Sequence, residues 1–379
     1  MNLTCVAPAY PYRGGIAAFG ARLAAELAQE HSLQYINFIR LYPDLLFPGK
    51  TQYDTSNTPI EVECDRQLDS MNPISWYKIG RRISKSNSDA VIFHWWHPFF
   101  GPAYREICRS SGEKITKIAV CHNVLPHDKS SLWTRAVRYG LGGMNGNIVH
   151  SKSEISQLKQ LSPKSPALDL YHPIYDIFPG QDTSRAEARR VLKLKQDARI
   201  ILNFGLIRPY KGVDVLLNAL KNLDEVDRLF CLIVGEIYSD RELIEKMVSE
   251  ISPNRVRLID GYIPNEQVAL WFRAADIVVL PYRSATQSGV VPIAYRCNRP
   301  VIVTNVGGLP DAVLDGQSGY LIEPENPSQL ADTIRRFFIE KDNPDLSHGI
   351  NQMRDRLSWS RYAKQTVDFI RDIRERKNE

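Results

Sequence analysis

Asn203-Phe204-Gly205-Leu206-Ile207-Arg208-Pro209-Tyr210-Lys211-Gly212 reads as the end of a buried strand, a turn and the start of a helix. The strand stops at Gly205, the chain turns through Pro209, and a helix begins near Lys211. Arg208 and Lys211 are thereby placed at the carboxyl end of a strand, beside a helix start. In an open α/β sheet that is where ligands bind. Paired cations there, next to free helix N–H groups, suit a phosphate or pyrophosphate. Taken alone, the same pair also reads as two solvated charges in a surface loop.

The segments on either side decide the fold. In the first half, apolar strands are expected at about 3–7, 33–39, 90–94, 117–121, 147–150 and 167–171, with the clearest helix from Ala17 to Gln29. The second half repeats the scheme, with strands near 199–204, 229–234, 256–259, 277–280, 300–303 and 319–322. Helical patterns near 212–221, 241–250, 265–273, 289–296 and 327–339 lie between and after them. Such alternation predicts parallel sheets covered by helices on both faces. The expected class is α/β, with two doubly wound Rossmann-like domains facing a central cleft. Pro173, Pro179, Gly180 and the polar run Gln181-Asp182-Thr183-Ser184 have linker chemistry. The expected domains are therefore residues 1–178 and 190–357. A last helix, about 358–379, has no strand after it and is expected to pack back on the first domain.

At 379 residues the chain is long enough for two domains of moderate size. Its 43% apolar and 24% charged content are those of a soluble globular protein. No run reaches the roughly 20 apolar residues of a membrane helix, and the first residues lack the pattern of a signal peptide. The six cysteines fall without paired spacing, several in apolar runs, so reduced buried thiols and a cytoplasmic setting are expected. No cluster of metal ligands appears. The net charge of +5 is uneven: residues 1–175 hold 19 Lys and Arg against 14 Asp and Glu, and the remainder holds 29 of each. The segment 76–85 sets Lys78, Arg81, Arg82 and Lys85 beside Trp76 and Tyr77. That pattern suits peripheral contact with the inner face of an anionic membrane, or an ordinary solvated helix face. Nucleic acid is not an expected partner, because the excess is small and no binding module is visible.

Three further stretches carry chemistry. Near the start, Tyr12-Arg13-Gly14-Gly15-Ile16 joins a strand to an amphipathic helix, and the two glycines let a ligand approach the backbone. The fingerprint Gly-x-Gly-x-x-Gly of dinucleotide sites is absent. Thr286-Gln287-Ser288-Gly289-Val290-Val291 opens a helix after a strand, so the N–H groups of Gly289, Val290 and Val291 can take a diphosphate. His94-Trp95-Trp96-His97-Pro98-Phe99-Phe100 follows a strand of the first half, and its aromatic rings suit a sugar face, a lipid tail or the core.

Arg208-Pro209-Tyr210-Lys211-Gly212, Val234-Gly235-Glu236, Ala274-Ala275-Asp276-Ile277 before Leu280-Pro281-Tyr282, Val306-Gly307-Gly308-Leu309-Pro310 and Asp315-Gly316-Gln317-Ser318-Gly319 together resemble one large family. It is that of the GT-B-fold retaining glycosyltransferases of family 4, also called glycosyl transferases group 1. With the N-terminal glycine loop and Ser358-Trp359, the resemblance covers essentially the whole chain. It implies transfer of a sugar from a nucleotide diphosphate sugar, with retention and with no bound metal or other cofactor. It also implies a saccharide or lipid-linked saccharide acceptor, in cell-surface polysaccharide assembly. No Asp-x-Asp on a strand offers to hold a divalent ion.

On this resemblance, Arg208 and Lys211 neutralise the departing diphosphate, and His122 at the end of a first-domain strand meets the donor sugar or lines the acceptor side. Gly14, Gly15, Gly205, Gly235, Glu236, Ile263, Thr286, Ser288, Gly289, Val290 and Val291 are the expected donor-binding residues. Trp95, His97 and His127 are the candidates on the acceptor side. The family usually carries two glutamates separated by seven residues, and here those places hold Thr286 and Ala294. A non-catalytic GT-B-fold protein that binds a saccharide or a partner, and a sugar-nucleotide epimerase of similar architecture, are the alternative readings.

Overall fold

The computed structural model describes residues 1–43, 51–57, 59–125, 131–162, 165–174, 182–339 and 345–378. The chain forms two compact units. The first holds residues 1–55, 59–171 and 359–379, and the second holds 56–58 and 172–358.

The first unit contains β1 (Asn2–Val6), β2 (Ser32–Arg40), β3 (Asp65–Asp69), β4 (Ala90–Trp95), β5 (Thr116–Cys121), β6 (Gly146–Val149) and β7 (Ala167–Asp169). They pair in the order β3-β2-β1-β4-β5-β6-β7, and every pairing is parallel. β4 and β5 are buried along their whole length, as strands covered on both faces must be. β3 departs from expectation because Asp65-Arg66-Gln67-Leu68-Asp69 offers a single apolar residue to a reader. Its register against β2 is shifted twice, and it forms the sheet edge, where short charged strands are common.

The second unit contains β8 (Arg199–Phe204), β9 (Leu229–Val234), β10 (Val256–Ile259), β11 (Ile277–Leu280), β12 (Val301–Thr304) and β13 (Gly319–Ile322). Their order is β10-β9-β8-β11-β12-β13, again all parallel. Both sheets are doubly wound. Chain order reverses between β1 and β4 in the first unit, and between β8 and β11 in the second. At such a reversal, the loops at the strands' carboxyl ends lead away to opposite faces and leave a crevice.

The last helix, Trp359–Asn378, belongs to the first unit. Trp359, Tyr362, Ala363, Val367, Ile370 and Ile373 recur at helical spacing and pack with Leu3, Phe19, Leu23, Ile92, Ile118 and Ile148. Burying a side chain of this kind contributes about 1.5–3 kcal/mol, so this helix is a structural member of the first core.

Candidate functional site

The chain leaves β8 at Gly205, whose φ of 113° is open to glycine alone without strain. Its neighbour after β9, Gly235, is equally constrained: a Cβ there would stand 1.9 Å from the Gly205 carbonyl oxygen. Pairing resumes at once, since the Ile207 N–H donates to the Glu236 carbonyl and the Tyr238 N–H to the Ile207 carbonyl. This carries Arg208 forward of the sheet. Its guanidinium lies 4.6 Å over the Tyr238 ring. A single 3-10 turn, Pro209–Lys211, follows, and Lys211 projects its ammonium 3.8 Å over the Tyr282 ring and 5.3 Å from that of Tyr210. Both cations are half-buried on aromatic faces, which position them without neutralising them.

Arg283 braces this turn. Its guanidinium donates to both carboxylate oxygens of Asp214 at 2.7–2.8 Å, to the Pro209 carbonyl at 2.7 Å and to Glu325 at 3.0 Å. Its backbone N–H donates to the Tyr210 carbonyl. The charge-assisted bonds from Arg283 hold the Asp214 carboxyl below its usual range, and the Asp214 bonds in turn raise the Arg283 pKa. One side chain therefore ties the cation-bearing turn to the loop after β11. That loop is also held from its far side. Thr304 donates to the Tyr282 carbonyl, the Gly308 N–H donates to the Thr286 carbonyl, and a Cβ on Gly307 would stand 1.5 Å from the Ala285 carbonyl oxygen.

Gly289 caps the short helix Val290–Arg296. The expected row of three free N–H groups needs correction, because the Val290 N–H donates to Ser288 Oγ at 3.2 Å. Ser288 also lies 3.3 Å from the Tyr282 hydroxyl, so it acts as a local cap of a kind common for serine. Val291 and Ala294 are buried, as is Glu236, whereas Thr286 and Ile263 are half-exposed in the loops after β11 and β10. The structure thus gathers Gly205, Arg208, Lys211, Gly235, Thr286, Ser288 and Gly289 on loops at one end of the second sheet.

The first unit builds its own loop end. Gly14, with φ at 109°, caps the helix Gly15–Leu27. The preceding loop is fixed by Asn37, which receives the Ala9 N–H and donates to the Ala9 and Tyr10 carbonyls. His122 follows β5, its N–H donating to the Trp95 carbonyl at 2.7 Å. Its ring lies 3.0 Å from that of His94 by Nε2 and Nδ1, with the edge of Phe19 against it at 4.8 Å between centroids. Sequence reasoning missed His94, Asn37 and Arg283.

Trp95 is a second correction. It is fully buried and packs among Phe93, Tyr104 and Val137 in the core, with its ring beneath Gly101 and Gly140. β4 is central, so both of its faces are covered and neither presents a tryptophan to a ligand. His97 is half-buried, accepts the Phe99 N–H and meets the Trp133 ring edge-on. His127 lies outside the described residues. Two wide grooves of about 530 and 600 Å³ occur elsewhere on the first unit and contain none of the expected site residues. Among the described residues no cluster of His, Cys, Asp or Glu is arranged to hold a metal ion.

Comparison with known proteins bears on the fold and on the second unit. Residues 198–339 match the family described as glycosyl transferases group 1. The D-inositol 3-phosphate glycosyltransferase 1 of Catenulispora acidiphila is 31% identical over 198 residues, covering 50% of this chain and 47% of that protein. The chain spans about half the length of the curated relatives it matches. Among solved structures, the sucrose-phosphate synthase of Thermosynechococcus elongatus superposes with a TM-score of 0.75 at 18% identity, covering 98% of this chain and 99% of that one. Anabaena HepE in complex with UDP and glucose superposes at 0.73 with 15% identity, covering 98% of this chain and 100% of that one. These likenesses bear out the GT-B class of two Rossmann-like domains. The matched residues 198–339 run from β8 through β13, so the likeness to the glycosyl transferases group 1 lies in the second unit.

Proposed function

We propose that the protein is a retaining glycosyltransferase that moves a sugar from a nucleotide diphosphate sugar to a saccharide or lipid-linked saccharide, in the building of a cell-surface polysaccharide. The observation that carries this reading is the turn after β8. It sets Arg208 and Lys211 at the topological switch point, each seated on an aromatic ring and braced through Arg283. Two fixed cations at that point stabilise charge as it develops on a leaving diphosphate. Gly205 and Gly235 leave the backbone there uncovered for a close approach. The bond between the anomeric carbon and the diphosphate oxygen breaks. The acceptor hydroxyl attacks from the same face, and a diphosphate oxygen takes its proton. In this scheme no metal is required, because the two side chains supply the positive charge. The complex of HepE with UDP and glucose favours a nucleotide sugar as the donor class.

Peripheral membrane contact belongs to the same proposal. The helix Pro73–Lys85 exposes Ile74 and Tyr77 beside Lys78 and Arg81. It packs along Gly101–Ser110, which packs on Ser131–Leu141, where Arg138 and Tyr139 are exposed. Cations with interleaved apolar side chains suit an anionic lipid surface. No helix among the described residues is long and apolar enough to cross a membrane.

Thermal shifts with a panel of nucleoside diphosphates and their sugars test the donor site. One nucleotide should raise Tm in the wild type and not in Arg208→Ala. The absence of any shift at millimolar concentration would overturn the reading. For the surface, sedimentation with vesicles should show binding to anionic lipid and not to neutral lipid, lost in Lys78→Glu/Arg81→Glu. Equal binding to both vesicle types would count against an electrostatic dock.

A further inference from the structure

Tyr282 meets two of the second unit's site candidates, Lys211 on its ring face and Ser288 at its hydroxyl. It is 1% exposed, and the Lys211 ammonium stands 3.8 Å from its ring centroid. Thr304 fixes its backbone by donating to its carbonyl at 2.6 Å. Its hydroxyl lies 3.3 Å from Ser288 Oγ, which also receives the Val290 N–H at 3.2 Å. Among the described residues, neither hydroxyl has another hydrogen-bond partner.

A hydroxyl holds one proton and two lone pairs, so the contact between the two can run either way. If Ser288 donated to Tyr282, the phenol proton would be left in the core with nothing to receive it. If Tyr282 donates, the phenol and the Val290 N–H fill both lone pairs of Ser288, and the proton left over is that of Ser288. Two facts favour the second arrangement. A phenol is a stronger acid than an alkanol, so it is the better donor, and its ring-conjugated oxygen is the poorer acceptor. Ser288 is also 9% exposed against 1% for Tyr282, so its proton can meet water or a ligand where the phenol proton would stay orphaned.

We infer that Tyr282 is a positioning residue that leaves the Ser288 hydroxyl only the role of hydrogen-bond donor, offered to an anionic oxygen of the diphosphate whose charge Lys211 meets. The inference deepens the donor-site reading and rests on it. The group on offer is a side-chain hydroxyl of the loop after β11, and the Val290 N–H behind it is already engaged. One ring thereby sets the place of a cation with its face and the polarity of a hydroxyl with its edge. Pyrophosphate oxygens carry lone pairs and no proton, so they match a donor locked in this way.

Calorimetric titration of the full chain with inorganic pyrophosphate, together with melts of the unliganded chain, tests the arrangement. Ser288→Ala should weaken pyrophosphate binding about tenfold. Tyr282→Phe keeps the ring under Lys211 and loses only the hydroxyl. It should weaken binding about threefold and leave the salt dependence of binding as in the wild type, because the cation stays in place. With Ser288→Ala already present, Tyr282→Phe should change the affinity no further, since it acts through Ser288. In the melts, Ser288→Ala leaves the phenol O–H buried without an acceptor and should lower Tm, and adding Tyr282→Phe should recover part of that loss.

Tighter pyrophosphate binding by Ser288→Ala would overturn the inference, because the released Val290 N–H would then be the better donor. So would additive losses of affinity in the double variant, or a Tm that Tyr282→Phe lowers equally with and without Ser288. A wild type that binds neither pyrophosphate nor any nucleoside diphosphate would sink the donor-site reading and this inference with it. Wild-type binding that Ser288→Ala leaves unchanged would sink the inference alone.

Discussion

The two switch points of this molecule are built from opposite materials. In the second unit the candidate groups are half-exposed cations, held by aromatic faces and by the Arg283–Asp214 bracket. In the first they are imidazoles, of which His94 is wholly buried, set edge-on against one phenylalanine and held by packing. One fold thus presents braced cations at one switch point and packed imidazoles at the other. The first kind is disturbed by salt and by loss of a partner charge, the second by loss of volume.

The largest effect is expected where packing rules. Phe19→Ala should destabilise the protein by about 3–5 kcal/mol, measured by urea unfolding of the first unit, with little dependence on ionic strength. A small loss, or a strongly salt-dependent one, would remove the contrast. Next, Arg208→Ala and Lys211→Ala should each cost about 3 kcal/mol of transition-state stabilisation, roughly 100-fold in kcat/KM, with Tm nearly unchanged. A drop in Tm with intact turnover would make them structural cations.

Arg283→Met should come third. It leaves Asp214 and the Pro209 carbonyl without their donor and should cost about 2 kcal/mol of stability, seen as a lower Tm, together with weaker nucleotide binding. Unchanged nucleotide affinity would show that the turn holds its shape unbraced.

The smallest effect concerns Glu154, whose pKa stands at about 7 in the folded chain against an ordinary 4.5. Between those values the native state binds more protons than the unfolded one, so stability falls as pH rises through the window and levels off above it. Glu154→Gln should flatten that slope in a series of melts from pH 4.5 to 8. A wild type that instead gains stability over the same range would place the carboxyl elsewhere on the scale.

Much of the fold was legible in the sequence. All six strands of the second sheet are short apolar runs bounded by turn residues, so periodicity and punctuation mark them. The position of Arg208 and Lys211 followed from one strand end and one proline. Edge strand β3 did not announce itself, because an edge buries little and needs few apolar residues. The Arg283–Asp214 bracket joins residues 69 apart and has no local pattern. His94 sits inside an apolar strand, where a histidine looks like core until its ring partner is seen. Trp95 stood as an acceptor-side candidate for its aromatic ring, but a central parallel strand is buried on both faces.

The return of the last helix to the first unit has a consequence for biosynthesis. A ribosome delivers the whole of residues 172–358 before the segment that completes the first core has been made. Until Trp359–Asn378 emerges, Leu3, Phe19 and Ile118 lack the apolar partners they meet in the finished protein. The later-made unit is therefore free to mature first. A nascent chain arrested short of Trp359 presents a folded second unit beside an open first one, a form that chaperones and proteases recognise by its uncovered apolar surface.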